Sequence, residues 1–299
     1  MINSIIKYFL SLSPVQIDKE IAKMQPLRSN SLDTVQKIAI NNRPIIIKKS
    51  TLDQGIASTA SSIMYKKIGI STPELYIIKN QKGDKSTATF QLDVSSIDGF
   101  ITTLASDSIQ FCEFNLKPFG RWKWEIFNNP ELIATLLKFM TPRCLEQLQN
   151  AYLAHELRTD NDLHKYNFFF YRTTGSNKYQ GIIIIDLDNM IVLNYCNGTR
   201  DEFNNFLYAP FGSITPQQTT DYLSHFTRMD HIRQLIQDGI LTQGNIDTLK
   251  ASLTFDFPNE IKTACKQRGI SKKTQTKIVD TIKYLWDYNQ KTLGKDLGL

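Results

Sequence analysis

The chain has 299 residues, of which 41% are hydrophobic and 21% charged. That is enough chain for a sizeable core, and the balance excludes a disordered, collagen-like or coiled-coil protein. A net charge of +6 and a pI near 9.0 raise the expectation of an anionic partner (nucleotide phosphates, acidic lipid or nucleic acid) without choosing among them. The lysines are scattered, in short doublets at Lys48-Lys49, Lys66-Lys67 and Lys272-Lys273, so most read as a solvated basic surface.

Four cysteines, Cys112, Cys144, Cys196 and Cys265, are far apart with no C-x-x-C pair. That spacing excludes an ordinary zinc site and argues against a disulfide framework. Reduced thiols in a cytosol-like compartment fit it. An apolar patch at Ile5, Ile6, Tyr8, Phe9 and Leu10 is interrupted by Lys7. It is too short to span a bilayer and does not match a cleaved signal peptide. It reads as an amphipathic helix packed on the body.

The elements follow in chain order. Residues 33–49 predict two strands about a turn at Asn41-Asn42, the second carrying the run Ile45-Ile46-Ile47 before Lys48. Residues 55–68 predict a helix with Ile56, Ala60, Ile63, Met64 and Ile68 on one face and Gly69 as its C-cap. Ser71-Thr72-Pro73 breaks the chain, and Leu75 to Ile78 predicts a strand. A polar loop follows from Lys79 to Ser86, then an alternating strand over Phe90 to Val94. Ser95 to Gly99 is expected to lead into a more helical region.

Residues 130–157 predict helix, restarted at Thr141-Pro142, where proline suits the first turn. Residues 167–172 and 182–187 predict short strands about a turn near Gly175–Asn177. From Thr215 the chain is expected to be helical, with turns at Gly239, Gly244 and Phe257-Pro258. The last helix carries Ile278, Ile282 and Leu285 as a core stripe. A strand-rich front and a helix-rich back predict an α+β protein of two unequal lobes, dividing near Ser95–Thr103.

The chemistry concentrates in Thr159-Asp160-Asn161-Asp162-Leu163-His164-Lys165-Tyr166-Asn167, which runs into an apolar strand, and in Ile182 to Ile185 followed by Asp186-Leu187-Asp188. Magnesium takes oxygen ligands, commonly one or two carboxylates together with substrate phosphates. Phosphoryl transfer needs such a metal and a carboxylate to orient the attacking hydroxyl. An antiparallel strand pair would bring Asn167 and Asp186 together, with Asp162 in the loop before the first strand.

Asp162-Leu163-His164-Lys165-Tyr166-Asn167 with the later Asp186 resembles the catalytic loop and metal-binding aspartate of the kinase superfamily. The D-x-H-x-x-N form is similar to that of its atypical branches: HipA-like kinases, actin-fragmin-kinase-like proteins and phosphatidylinositol kinases. The resemblance implies a two-lobed kinase-like fold, with residues 1–98 as a strand-rich N-lobe bearing an N-terminal helical extension and 99–299 as a mainly helical C-lobe. It implies Asp162 as catalytic base, His164 ordering the loop, and Asn167 and Asp186 holding Mg2+ (or Mn2+) with Asp188 assisting. Ile45-Ile46-Ile47-Lys48 is similar to the strand carrying the ATP-binding lysine. Lys48 and Lys49 point to opposite faces of such a strand, and the family pattern favours Lys48. Gly69-Ile70-Ser71-Thr72-Pro73 looks like the turn after the next helix, and Val94 to Phe100, with Asp98, looks like the inter-lobe hinge that meets the nucleotide.

Two positions depart from the pattern. The glycine-rich loop is represented by Leu27-Arg28-Ser29-Asn30-Ser31, where Ser29 and Ser31 offer donors to phosphate in place of glycine backbone. Thr59 stands where the helix glutamate that pairs with the lysine is expected, with Glu74 and Asp53 as substitutes. The implied activity is an ATP- and magnesium-dependent protein Ser/Thr kinase. The alternatives are a phosphoinositide kinase, a pseudokinase serving as a binding module, and a glycosyltransferase reading Asp186-Leu187-Asp188 as its D-x-D motif. A protein is the expected partner, with anionic lipid next and no specific nucleic-acid binding; nothing bears on oligomeric state. The expected setting is cytoplasmic, or that of a secreted effector or toxin in a host cytosol. Gly120-Arg121-Trp122-Lys123-Trp124 interleaves basic and aromatic residues, but reads as a helix-packing edge.

Overall fold

The computed structural model describes residues 7–8, 11–23, 25–26, 35–40, 43–50, 52–73, 75–79, 87–92, 100–104, 119–157, 167–187, 229–267 and 271–299. Five strands form the first sheet: β1 (Gln25–Pro26), β2 (Val35–Ile40), β3 (Arg43–Ser50), β4 (Leu75–Lys79) and β5 (Thr87–Leu92), in the order β1-β2-β3-β5-β4. All neighbours are antiparallel. The β2–β3 register sets Ile40 opposite Arg43, which is what a two-residue connection at Asn41-Asn42 requires. Along β3, Ile47 is fully buried while Ile46 and Lys48 are half-buried, the alternation of a strand with one face on the core.

Helix α1 (Pro14–Ala22) is started by a capping box in which Ser13 and Gln16 satisfy each other's backbone. It buries Ile17 and Ile21. Helix α2 (Leu52–Lys67) follows β3 and buries Ala60, Met64 and Tyr65. Gly69 ends it at φ 78. The Ile70 N–H reaches back to the Tyr65 carbonyl at 2.9 Å and the Gly69 N–H to Lys66 at 3.2 Å. That return needs the left-handed backbone that glycine adopts without a Cβ penalty.

The second sheet holds β6 (Phe100–Leu104), β7 (Phe168–Thr173) and β8 (Gly181–Ile184), antiparallel in that order. Around it lie α3 (Phe119–Asn128), α4 (Pro130–Phe139), α5 (Pro142–Leu157), α6 (Met229–Gln237), α7 (Gln243–Thr254), α8 (Phe257–Gln267) and α9 (Lys272–Leu297). Helix α5 is the axis of this half: every residue from Gln149 to Leu157 is buried. A helix apolar or buried all round belongs in a core. Its Leu148, Tyr152 and Leu153 join Phe170, Ile182 and Ile184 of the sheet and Ile232, Leu249, Ile261, Ile282 and Leu293 of the later helices in one cluster.

Three expectations are corrected. Residues 100–104 form a strand rather than helix: Phe-Ile-Thr-Thr-Leu is rich in β-branched and aromatic residues, and it pairs in full register with β7 from Phe100↔Thr173 to Leu104↔Phe169. Gly244 is not a turn. It lies in the first turn of α7, which Thr242 caps in a box with Asn245. The Glu146 carboxylate of α5 lies where its Cβ would be, so the residue sits in helix–helix contact and not at a chain reversal. Phe257-Pro258 likewise begins α8, where proline's missing N–H is not needed. Trp124 is a packing residue, as its setting suggests: it stacks on Phe127 with ring centroids 6.2 Å apart and meets His231 edge-on at 5.3 Å.

The fold is α+β and two-lobed, one lobe strand-rich and the other mainly helical. The expected boundary at 98/99 lies outside the described residues; β5 of the first sheet ends at Leu92 and β6 of the second begins at Phe100. Among the described residues no helix is long and apolar enough to cross a membrane.

Candidate active site

A long-range ion pair links the two sheets. Lys48, on β3, reaches Asp186, two residues past β8, with Nζ 2.6 Å from Oδ1. The side chains are only 18% and 31% exposed, so the pair is partly desolvated. A charge-assisted contact of that length is at the strong end of hydrogen bonds.

Asp186 is also conformationally distinct. Its φ is 57°, and it is the only non-glycine residue at positive φ among the described residues. Aspartate tolerates the left-handed region better than most side chains, yet still at a cost. Such residues cluster at sites where the chain must aim a group in a direction regular structure does not allow. Here β8 is buried throughout, and the left-handed residue two positions beyond it carries the carboxylate that meets Lys48.

Asn167 sits at the matching end of β7. The register pairs Phe168 with Ile184, and the Asn167 carbonyl accepts from the Ile185 N–H at 2.9 Å. Asn167 therefore lies across from the residue that precedes Asp186, and it is only 4% exposed. The antiparallel pair expected from the sequence is present and joins these two backbones.

The other edge of β8 is covered by the turn after α2. Ser71 bridges Ile183 in parallel, and its carbonyl accepts from the Ile184 N–H at 3.0 Å. Thr72 is held to α2 by a 2.6 Å hydrogen bond between its hydroxyl and that of Ser62. Gln147 of α5 clamps the same place from below. Its Nε2 donates to the Gly69 carbonyl at 3.1 Å and its Oε1 accepts from the Ile182 N–H at 3.2 Å. Two hydrogen bonds from one carboxamide thus tie the C-cap of α2 to the strand that delivers Asp186. Nothing in the sequence singles out Gln147, because no local pattern marks a residue whose partners lie 78 and 35 positions away.

Thr59 does not take the place of a lysine-pairing acid. Its hydroxyl donates to the Gly55 carbonyl one turn back at 2.9 Å. Of the expected site residues, Lys48, Asn167 and Asp186 are described and gathered at one place. Ser29, Ser31, Asp98, Asp162, His164 and Asp188 lie outside the described residues, as does Glu74. In chemical terms the described part supplies a cation suited to phosphate oxygens and hard oxygen donors suited to a divalent metal.

No protein-family model matches the sequence, and no curated protein matches it. Solved structures do match. The crystal structure of the Helicobacter pylori proinflammatory kinase CtkA aligns with a TM-score of 0.53 at 12% identity, over 88% of this chain and 92% of that one. The toxin–antitoxin protein HipA of Shewanella oneidensis MR-1, in its complex with HipB and operator DNA, aligns with a TM-score of 0.51 at 11% identity, over 95% of this chain and 71% of the other. The fold is kinase-like. The likeness includes the HipA branch, in agreement with the D-x-H-x-x-N resemblance. The Lys48–Asp186 contact joins the first sheet to the chain beyond the second.

Proposed function

We propose that this chain is an ATP- and magnesium-dependent phosphotransferase that acts on Ser or Thr hydroxyls of a protein. The observation that carries the reading is the 2.6 Å Lys48–Asp186 contact, made between a buried-strand lysine and a strand-end aspartate 138 residues apart in a kinase-like fold. Asp186 and Asn167 offer carboxylate and carboxamide oxygens, the hard donors that Mg2+ accepts; Asp188 assists. The metal, when bound, neutralises charge on the transferring phosphates.

Lys48 binds the α- and β-phosphates, Ser29 and Ser31 donate to phosphate oxygens, and Asp98 meets the nucleotide at the hinge. Asp162 orients the acceptor hydroxyl, within a loop ordered by His164. In the reaction the acceptor oxygen forms a bond to the γ-phosphorus as the bond to the β–γ bridging oxygen breaks. The hydroxyl proton passes to the Asp162 carboxylate and then to solvent, and ADP leaves. The reading places the enzyme in a reducing cytosol, its own or that of a host. Cys144 and Cys265 are buried thiols, not disulfide-bonded, which suits that compartment.

One observation favours a second reading, a kinase-shaped module that binds nucleotide without turning it over. Thr59, whose hydroxyl donates to the Gly55 carbonyl of its own helix, stands where a catalytic N-lobe would be expected to supply an acid for the lysine.

Thermal-shift titration tests binding with Mg-ATP on wild type and Asp186→Asn, and with a Mn-UDP-sugar as comparison. At a hundred times its Kd, a ligand that binds only the folded state adds about 2.7 kcal/mol. The proposal expects a metal-dependent shift with ATP that is lost in the variant. A shift with the UDP-sugar alone would instead support a D-x-D glycosyltransferase.

A further inference from the structure

Three side chains of the last helix donate to backbone carbonyls at or just past helix ends. On α9, Trp286 Nε1 donates to the Phe255 carbonyl at 3.0 Å, Gln290 Nε2 to Leu253 at 2.7 Å, and Asn289 Nδ2 to Leu157 at 2.9 Å. The last carbonyls of a helix have no partner within it, so a buried helix end must be satisfied from elsewhere.

The Asn289 contact differs from the other two in where it leads. Leu157 is the final residue of α5, and Asp162 follows five residues later in the chain. Asn289 is 0% exposed and 132 residues distant in sequence. Its carboxamide oxygen is buried without a hydrogen-bond partner among the described residues. A half-satisfied buried carboxamide is a poor way to fill core space, since an apolar side chain of similar volume would leave no acceptor unmet. The donor half is therefore the part of Asn289 with a use: it replaces water at the point where the chain leaves the central helix.

We propose that Asn289 is a positioning residue, which by holding the Leu157 carbonyl fixes the point at which the chain departs α5 toward Asp162. It touches neither nucleotide nor acceptor. A displacement of about 1 Å transmitted to a reacting group can lower a rate by about a hundredfold. Loss of this anchor acts on the chemical step and leaves nucleotide affinity, which rests on Lys48 and Asp186, in place. The kinetic part of this inference rests on the phosphotransferase reading.

The test compares Asn289→Leu, which keeps the branched shape and removes the donor, with Gln290→Leu, which removes the neighbouring latch to Leu253. Asn289→Ser serves in place of the leucine variant if that does not fold. Each full-length protein is assayed for ADP release from Mg-ATP below its unfolding transition, and for amide hydrogen exchange across residues 158–166. The Asn289 variant is expected to lose about tenfold or more in kcat with KM for ATP within about twofold, and to exchange faster over 158–166. Gln290→Leu is expected to lower Tm to a similar degree while keeping kcat and that exchange pattern. Unchanged kcat and exchange in the Asn289 variant, or equal losses in both, would overturn the inference. If wild type shows no turnover, the phosphotransferase reading fails by itself, and the exchange comparison alone decides the role of Asn289.

Discussion

Breaking the Lys48–Asp186 contact tests an interaction that joins the two sheets at the site. At 2.6 Å the Coulomb attraction of two unit charges is about 6 kcal/mol for an effective dielectric of about 20. Most of that is offset by desolvation of groups that are 18% and 31% exposed and by the ordering of a lysine side chain. A net coupling of about 1–3 kcal/mol remains, the range of hydrogen bonds to charged groups. The measurement is a double-mutant cycle in urea with Lys48→Met, Asp186→Asn and the pair. Asparagine is the right replacement because it too tolerates the left-handed φ of 57, so the cycle is not contaminated by backbone strain. The expected result is two single variants whose summed losses exceed that of the double variant by at least about 1 kcal/mol. A coupling below about 0.3 kcal/mol, within the error of additivity, would refute the claim that this pair is an energetic link and not only a near approach.

Further outcomes follow from packing and burial. Burial pushes the Cys144 thiol up to about 12 from 9.0, so the folded state holds a proton that the unfolded chain releases. Stability is therefore unaffected below about pH 9 and falls by up to ~1.4 kcal/mol per pH unit above it, with Tyr152, raised by burial as well, adding the same sign above pH 10. Urea melts at pH 8 and pH 10.5 check this, and Cys144 should resist alkylation at pH 8 until the protein unfolds. Gly69→Ala, at φ 78 with nothing near the added Cβ, should cost about 1–2 kcal/mol from backbone strain alone; an unchanged melting temperature would contradict the left-handed C-cap. Gln147→Ala removes the donor to Gly69 and the acceptor for Ile182 and should cost about 1–3 kcal/mol, measured by the same melts.

Local pattern made much of the frame legible. The Ile45–Ile47 run after Asn41-Asn42, the glycine after α2 and Pro142 at the start of α5 each have a short-range cause, and each appears where that cause puts it. The meeting of Asn167 with the chain just before Asp186 was legible too, because an antiparallel pair with a short turn has few registers. What failed has a physical reason. Phe100–Leu104 became a strand because β7 was there to pair with it, and a five-residue apolar run cannot be told from helix by period alone. Gly244 lies against a carboxylate on α5 nearly a hundred residues earlier, and Gln147 and Asn289 meet carbonyls far away in sequence. Thr59 marks the place on α2 where an acid is expected for Lys48, with Glu74 and Asp53 as the expected substitutes, and the pairing with Asp186 comes from a strand end 138 residues away. These are tertiary facts, and nothing within a few residues of either partner encodes them.

The most direct test of the central claim is transfer of labelled γ-phosphate from Mg-ATP to a degenerate Ser/Thr peptide library and to the protein itself, with wild type and Asp162→Ala compared. The account predicts label on Ser or Thr hydroxyls with wild type, reduced by about 10²–10⁴-fold in the variant while Mg-ATP binding persists. Binding of Mg-ATP without any transfer by wild type, or equal transfer by the variant, would contradict it.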